Sequence, residues 1–308
     1  MTDPPPPTLT AFDYESLIDA PTWAFIRATE AAYAAEGAGS EISDQRRAYD
    51  AMCRAFYAGR PPDIRVEETQ VAGIACRRYL GRGPVVIYLH GGGFVVGGLH
   101  SHDDICAEIS ATTGLTVLSV DYRLCPEHPH PAAYEDCLAV VRATPGDLLL
   151  AGDSAGGALA AAVAATLRSS RVLGQVLIYP GLGGAGDSHR RHARAPLLTA
   201  EDVALYARLR GAAGDDATAF PLRGSDFSGL PPTLALAATC DPLADDAVDY
   251  AARITAAGGR AVAFTETGLV HGHLRARHRV PRARESFARV TSTLAAFAAG
   301  RWPFGDRS

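Results

Sequence analysis

Ser154 lies between glycines two positions before and two after it, in the stretch Gly152-Asp153-Ser154-Ala155-Gly156-Gly157. A serine hydroxyl is a weak nucleophile near neutral pH, and it needs a base and an exposed, constrained position to attack a carbonyl. Flanking glycines suit a turn so tight that a Cβ at either place would collide, the pattern of a nucleophile elbow, G-x-S-x-G. The context agrees. The apolar run Leu148-Leu149-Leu150-Ala151 reads as a strand entering the turn, and the alanine-rich segment to Ala165 reads as the helix leaving it. That helix would aim its N-terminal amides and positive dipole end at negative charge forming beside Ser154.

A second glycine cluster, His90-Gly91-Gly92-Gly93-Phe94, follows directly on the apolar run Val85 to Leu89. Consecutive glycines let backbone N–H groups face a site without side chains in the way, as an oxyanion needs. A phosphate loop would use similar glycines, but neither a G-K-[ST] ending nor a G-x-G-x-x-G helix start is present. The glycine loop and Ala155, the residue after the serine, are expected to supply the donors together.

The base and the acid that orients it are expected downstream, in the order serine, acid, histidine. The apolar run Leu234 to Ala238 ends in Thr239-Cys240-Asp241-Pro242-Leu243-Ala244-Asp245-Asp246, and Ala261 to Thr265 leads to Gly268-Leu269-Val270-His271-Gly272-His273. Asp241 is nearest the strand end and precedes a proline, which favours extended or turn backbone there. Asp245 and Asp246 suit the first turn of the next helix. His271, before a glycine at the loop tip, leads as the base; His273 is the alternative and could instead stack in the site. His189 and His192 precede the acid and read as surface residues. His100, His102, Asp103 and Asp104 resemble a metal cluster but fall at a helix start, where Asp is an ordinary cap, and His128 and His130 sit in a proline-rich loop, so no metal site is expected.

Around these groups strands alternate with helices, the mark of a mostly parallel sheet covered on both faces. Two helices come first, one from Pro21 to about Glu36 and one capped at Ser43-Asp44 that Gly59 stops; a pair of strands around Gly73 follows within Ile64 to Leu80. Later strands are expected at Val85–Leu89, Leu115–Val120, Leu148–Ala151, Gln175–Tyr179, Leu234–Ala238 and Ala261–Thr265, with a closing helix from about Glu285 to Ala299. Between Pro180 and Thr233 the alternation gives way to Gly-rich sequence and a helix opened by Thr199-Ala200-Glu201-Asp202. An insertion after a strand's C-terminal end sits where α/β sheets bind ligands, so a lid is expected.

Hydrophobic residues make up 47% of the 308, charged residues 20%, and the net charge is −5. Nothing in that balance attracts nucleic acid or an anionic membrane. The arginine-rich stretch Arg275 to Arg289 is expected to be a solvated face leading into the last helix. No apolar run approaches the length of a membrane span. Met1 to Thr10, with Pro4 to Pro7, lacks the basic and apolar regions of a secretory signal and reads as a disordered or polyproline tail. Six scattered cysteines without a C-x-x-C pair argue against zinc fingers and a disulfide framework, and a cytoplasmic location is expected.

His90-Gly91-Gly92-Gly93-Phe94, Asp121-Tyr122-Arg123-Leu124-Cys125-Pro126-Glu127-His128-Pro129, the serine elbow, Asp241-Pro242-Leu243 and His271-Gly272 together resemble the hormone-sensitive-lipase-like (bacterial family IV) carboxylesterases of the α/β-hydrolase fold. The resemblance spans roughly Pro84 to His273. It implies Ser154, Asp241 and His271 as a triad, the amides of Gly92, Gly93 and Ala155 as an oxyanion hole, and Tyr122-Arg123 as structural support. It also implies an eight-stranded, mostly parallel sheet with helices on both faces, in a single domain over residues 1–308 whose helical cap comes from residues 1–60 and the insertion 181–230. Such enzymes hydrolyse short-acyl esters of small molecules without cofactor, often as homodimers. Two departures stand out: relatives often have phenylalanine where this chain has His273, and Asp-Glu where it has Asp245-Asp246.

The expected activity is therefore that of a serine carboxylesterase working through an acyl-enzyme. An amidase or lactonase would use the same triad, its leaving group read by cap side chains. A non-catalytic ligand-binding protein is the other alternative. Gibberellin receptors resemble this family but have lost the catalytic histidine, which here is present as His271. Trp23, Phe25 and Tyr206 are cap aromatics that either border substrate or pack.

Overall fold

The computed structural model describes residues 13–37, 39 and 41–305. The tail expected at Met1 to Thr10 lies outside them. The first helices are α1 (Tyr14–Leu17), α2 (Ala20–Ala35) and α3 (Ile42–Phe56). Asp19 caps α2 by accepting the Thr22 amide at 2.9 Å, and Pro21 sits just inside the start. The N-cap of α3 is Glu41 rather than Ser43, with no side-chain cap bond, and Asp44 falls inside the first turn, paired with Arg47.

The hairpin is β1 (Val66–Val71) and β2 (Ile74–Tyr79), joined through Ala72 and Gly73, both at positive φ. There follow β3 (Arg82–Leu89), α4 (Asp103–Thr113), β4 (Leu115–Val120), α5 (Ala132–Ala143), β5 (Leu148–Asp153), α6 (Ala155–Leu167) and β6 (Val172–Ile178). The insertion carries α7 (Ser188–Arg191) and α8 (Ala200–Arg210), and then come β7 (Thr233–Cys240), α9 (Ala244–Ala256), β8 (Ala261–Val270) and α10 (Pro281–Ala298). Strand order is β1-β2-β4-β3-β5-β6-β7-β8, antiparallel at β1/β2 and β2/β4 and parallel beyond. This is the eight-stranded, mostly parallel sheet that the sequence implies.

Side chains on successive strand residues face opposite ways, and that alternation divides the core. Ile87, Leu89, Leu148, Leu150 and Ala235 pack with Leu159 and Val163 of α6 and Ile254 of α9. Val86, Tyr88, Leu149, Ala151 and Leu234 pack on the other face with Ile105 of α4 and Val290 and Leu294 of α10. A third cluster joins Phe25, Ile26, Met52 and Phe56 of α2 and α3 to Cys240 and Val270, the last residues of β7 and β8. The N-terminal helices thus dock where those two strands deliver their loops. β8 runs five residues beyond Thr265 because Cys240 and Val270 still pair across an irregularity, although Glu266-Thr267-Gly268 carries no apolar signal.

The arginine-rich stretch is not wholly a solvated face. Arg277 is only 2% exposed and donates to Asp104 and Glu108 of α4, each at 2.7 Å, while buried Arg275 donates to the Ser101 carbonyl at 2.8 Å and the Tyr49 hydroxyl at 3.0 Å. Asp103 does not cap α4 either. It accepts from Arg60, Arg77, Tyr57 and Tyr79. All six cysteines are buried and unpaired, and burial pushes the thiols of Cys53, Cys76 and Cys240 up to about 11. No helix among the described residues is long and apolar enough to cross a membrane.

Candidate active site

The chain leaves β3 to one side to make β4 and returns on the other side to make β5, so the crevice at that reversal lies beyond the ends of β3 and β5. Ser154 occupies the turn after β5 with φ 52° and ψ −117°, a left-handed conformation costing about 1–3 kcal/mol that the surroundings must enforce. They do so sterically. A Cβ on Gly152 would lie 2.7 Å from the Leu89 carbonyl oxygen, and one on Gly156 would lie 1.9 Å from the same atom. The Ser154 amide donates to the Ile178 carbonyl at 2.8 Å, tying the elbow to the end of β6. Ala155 then opens α6, whose first amides have no partner within the helix.

The loops after β7 and β8 bring Asp241 and His271 to this serine. His271 Nδ1 lies 2.7 Å from Asp241 Oδ2, and its Nε2 lies 2.8 Å from Ser154 Oγ. A carboxylate only accepts, so Nδ1 carries the proton and Nε2 is left to accept from the serine hydroxyl. Asp241 is fully buried, and its Oδ1 accepts the Leu243 amide at 2.8 Å, so the Asp-Pro-Leu turn fixes its own acid. Tyr179 packs against the His271 ring at 4.8 Å.

The alternatives are engaged elsewhere. Asp245 accepts from the Ser188 amide and Arg191, and Asp246 from the amides of Leu182 and Gly184. His273 does not stack in the site. It is buried edge-on against Tyr179, with Nε2 3.0 Å from Ser286 Oγ, and burial pushes it down to about 4. Of the two histidines expected at the surface, His192 is buried at 4% exposure, while His189 is half-buried and lines the same cavity as Ser154, because α7 docks against the start of α9.

Gly92, Gly93 and Ala155 line that cavity too. Gly92 has φ 127° and Gly93 φ 59°, and a Cβ on Gly92 would meet the Val96 carbonyl oxygen at 2.1 Å. The loop is clamped from behind. The Gly91 amide donates to Asp153 Oδ1 at 3.0 Å, Tyr122 donates to the His90 carbonyl at 2.6 Å, and the His90 and Tyr122 rings stack at 4.2 Å. Burial pushes His90 down to about 3, so the neutral ring donates from Nδ1 to the Gly91 carbonyl at 2.8 Å. Asp153 also accepts from Tyr88 at 2.9 Å and sits 3.1 Å from His102 Nε2. Burial opposes its charge, but these donors and the nearby Arg275 hold its carboxyl well below the usual range. Sequence alone does not reveal Asp153, Tyr88 and His102, because Asp153 is only the variable position of G-x-S-x-G and its partners come from β3 and from the cap of α4.

The cavity measures about 210 Å³ and is mostly apolar, with Phe25, Met52, Leu198, Val203 and Tyr206 on its walls. Tyr206 lies directly over the glycine loop, 2.6 Å from where a Gly93 Cβ would sit. Trp23 packs instead within the third core cluster. Among the described residues no group of three or more His, Cys, Asp or Glu side chains is placed to hold a metal ion.

A family described as having the alpha/beta hydrolase fold matches residues 86–275. Esterase LipI of Mycobacterium tuberculosis is 37% identical over 222 residues, covering 66% of this chain and 69% of that relative. The ethyl acetate hydrolase of Pseudomonas putida is 34% identical, covering 69% and 73%. Among solved structures, the hyperthermophilic esterase from Pyrobaculum calidifontis superposes with a TM-score of 0.79 at 33% identity, covering 84% of this chain and 94% of that one. An esterase of the bacterial hormone-sensitive lipase family superposes with a TM-score of 0.82 at 29% identity, covering 90% and 98%. With its elbow, its glycine loop and these relatives, the chain belongs to the α/β-hydrolase-fold family, among the hormone-sensitive-lipase-like esterases.

Proposed function

We propose that this protein is a serine carboxylesterase that hydrolyses short-acyl esters of small molecules. The observation that carries the reading is the continuous row Asp241–His271–Ser154, with hydrogen bonds of 2.7 and 2.8 Å, opening into an apolar cavity beside Gly92 and Gly93. His271 Nε2 takes the Ser154 proton as the oxygen attacks the ester carbonyl, and Asp241 stabilises the imidazolium. The amides of Gly92, Gly93 and Ala155 hold the oxyanion, each donor worth on the order of 3 kcal/mol of barrier. His271 then protonates the departing alcohol. Water, activated by the same ring, releases the acid and restores Ser154.

The cavity's 210 Å³ falls below the roughly 300–1,000 Å³ of pockets for drug-sized ligands, which supports small substrates. Helices α2, α3 and α8 supply its walls through Phe25, Met52 and Tyr206, which supports reading residues 1–60 and 181–230 as the cap of one domain. Six unpaired buried thiols support a cytoplasmic location. A homodimer rests on the family resemblance alone.

The test is hydrolysis of p-nitrophenyl esters from acetate to palmitate by wild type and Ser154→Ala. Activity should peak at short chains and vanish in the variant, and a fluorophosphonate should label wild type alone. Folded wild type that neither hydrolyses an ester nor takes the label would overturn the assignment in favour of a binding protein.

A further inference from the structure

One polar pair in the cavity wall is used by neither the triad nor the oxyanion loop. Asp246 is fully buried. Its Oδ2 accepts the amides of Leu182 at 2.7 Å and Gly184 at 3.3 Å, but its Oδ1 has no hydrogen-bond partner. His189 Nε2 faces that oxygen at 3.9 Å, within ion-pair reach, and is likewise a buried atom without a hydrogen bond. Both residues line the cavity into which Ser154 and His271 open. Leaving a buried donor and a buried acceptor unmet is unfavourable for both, so the gap between them needs an explanation.

The Asp246 carboxylate and the backbone that carries His189 are both held in place. Asp246 cannot advance, because its two amide bonds hold it and Oδ1 already lies against Gly184, 2.3 Å from where a Cβ there would sit. His189 is carried by α7, which is pinned to the start of α9. Ser188 Oγ donates to the Pro242 carbonyl at 2.8 Å and accepts the Asp245 amide at 3.2 Å, and Arg191 reaches Asp245 at 3.0 Å. A separation of 3.9 Å is too long for a direct hydrogen bond. An oxygen about 2.8 Å from each atom would subtend an angle of about 90°, which a hydroxyl tolerates. The His189 side chain is 29% exposed, so its ring has room to turn and admit such a group from the cavity.

The chemistry of the pair selects its occupant. A carboxylate would face the Asp246 charge, and an ammonium has no lone pair to offer Nε2–H. A neutral hydroxyl accepts from His189 and donates to Asp246, satisfying both at once. We infer that the His189–Asp246 gap is a hydroxyl-recognition subsite, and that the preferred substrates are esters bearing a free hydroxyl on the acyl or the alcohol part. This rests on the esterase reading.

The experiment compares kcat/KM within two matched pairs: 2-hydroxyethyl butyrate against ethyl butyrate, and methyl 3-hydroxybutyrate against methyl butyrate. Wild type, His189→Leu and Asp246→Asn are measured in a pH-stat. In one pair wild type should favour the hydroxy ester by about tenfold, and the ratio should fall to near one in His189→Leu. The responding pair identifies which part of the substrate carries the hydroxyl. Reading the ratio within each protein cancels any change common to both esters. Asp246 also anchors residues 182–184, so His189→Leu is the deciding variant and Asp246→Asn the second. Ratios near one in wild type for both pairs, or a preference that His189→Leu retains, overturn the subsite while p-nitrophenyl butyrate hydrolysis still upholds the esterase. Loss of that hydrolysis as well overturns the esterase reading and this inference with it.

Discussion

His273 and His271 are two residues apart, yet one meets Ser154 and the other is sealed in the core, and pH separates them. The folded protein resists a proton on His273 until about pH 4, whereas the unfolded chain takes one up near pH 6.5. The unfolded state therefore binds more protons between those values, so stability is complete above pH 6.5 and falls as the pH drops toward 4. At pH 4.5 the loss from this residue is about 2–3 kcal/mol. Denaturant unfolding at pH 7.5 and 4.5 should show that loss in wild type and a smaller one in His273→Phe, which is less stable at neutral pH for want of the Ser286 contact. An equal acid loss in both would remove His273 as the cause. Sequence order sufficed to nominate Ser154, Asp241 and His271, because each lies in the loop a few residues beyond an apolar run, in the order serine, acid, histidine. It gave no sign of Asp153's role or of the His189–Asp246 gap, which depend on residues brought together from separate elements.

At the scale of elements, the contact of α6 with the end of β3 sets the tightest tolerance. Replacing a helical glycine by alanine ordinarily gains up to about 1 kcal/mol of helix propensity. Gly156→Ala should lose far more, since the new Cβ would meet the Leu89 carbonyl at 1.9 Å with backbone on both sides. We expect a fall of more than about 3 kcal/mol in stability and slowed fluorophosphonate labelling of Ser154. Gly157→Ala, whose Cβ would meet the Pro180 ring at 2.9 Å, should be the milder change in thermal denaturation. Wherever burial follows a run of apolar residues, the strands and helices were legible in sequence to within a few residues. The far end of β8 was not, because backbone pairing carries it through polar residues. α8 was marked at its start by Thr199 and Asp202, which form a reciprocal capping box.

At the scale of the molecule, the arginine-rich segment after β8 works as a brace between distant parts of the chain. Arg277 joins Asp104 and Glu108, and Ala276, Val280 and Ala283 join the cluster that seats α2 and α3. Breaking one side of a buried ion pair costs about 3–5 kcal/mol. Arg277→Met should lower the melting temperature by roughly 10 °C, while His278→Ala, removing an exposed contact to the same Glu108, should barely move it. Sequence could not distinguish this brace from a solvated face, since the carboxylates it meets lie far upstream on α4. The six sealed thiols have a practical corollary. With none at the surface and burial holding those of Cys53, Cys76 and Cys240 near 11, the native protein should leave a maleimide unconsumed at neutral pH. A cysteine introduced at exposed Tyr33, on the helix beside the cavity, would then be a single addressable handle for a fluorophore that reports ligand entering the cavity, in a protein whose own cysteines need not be removed.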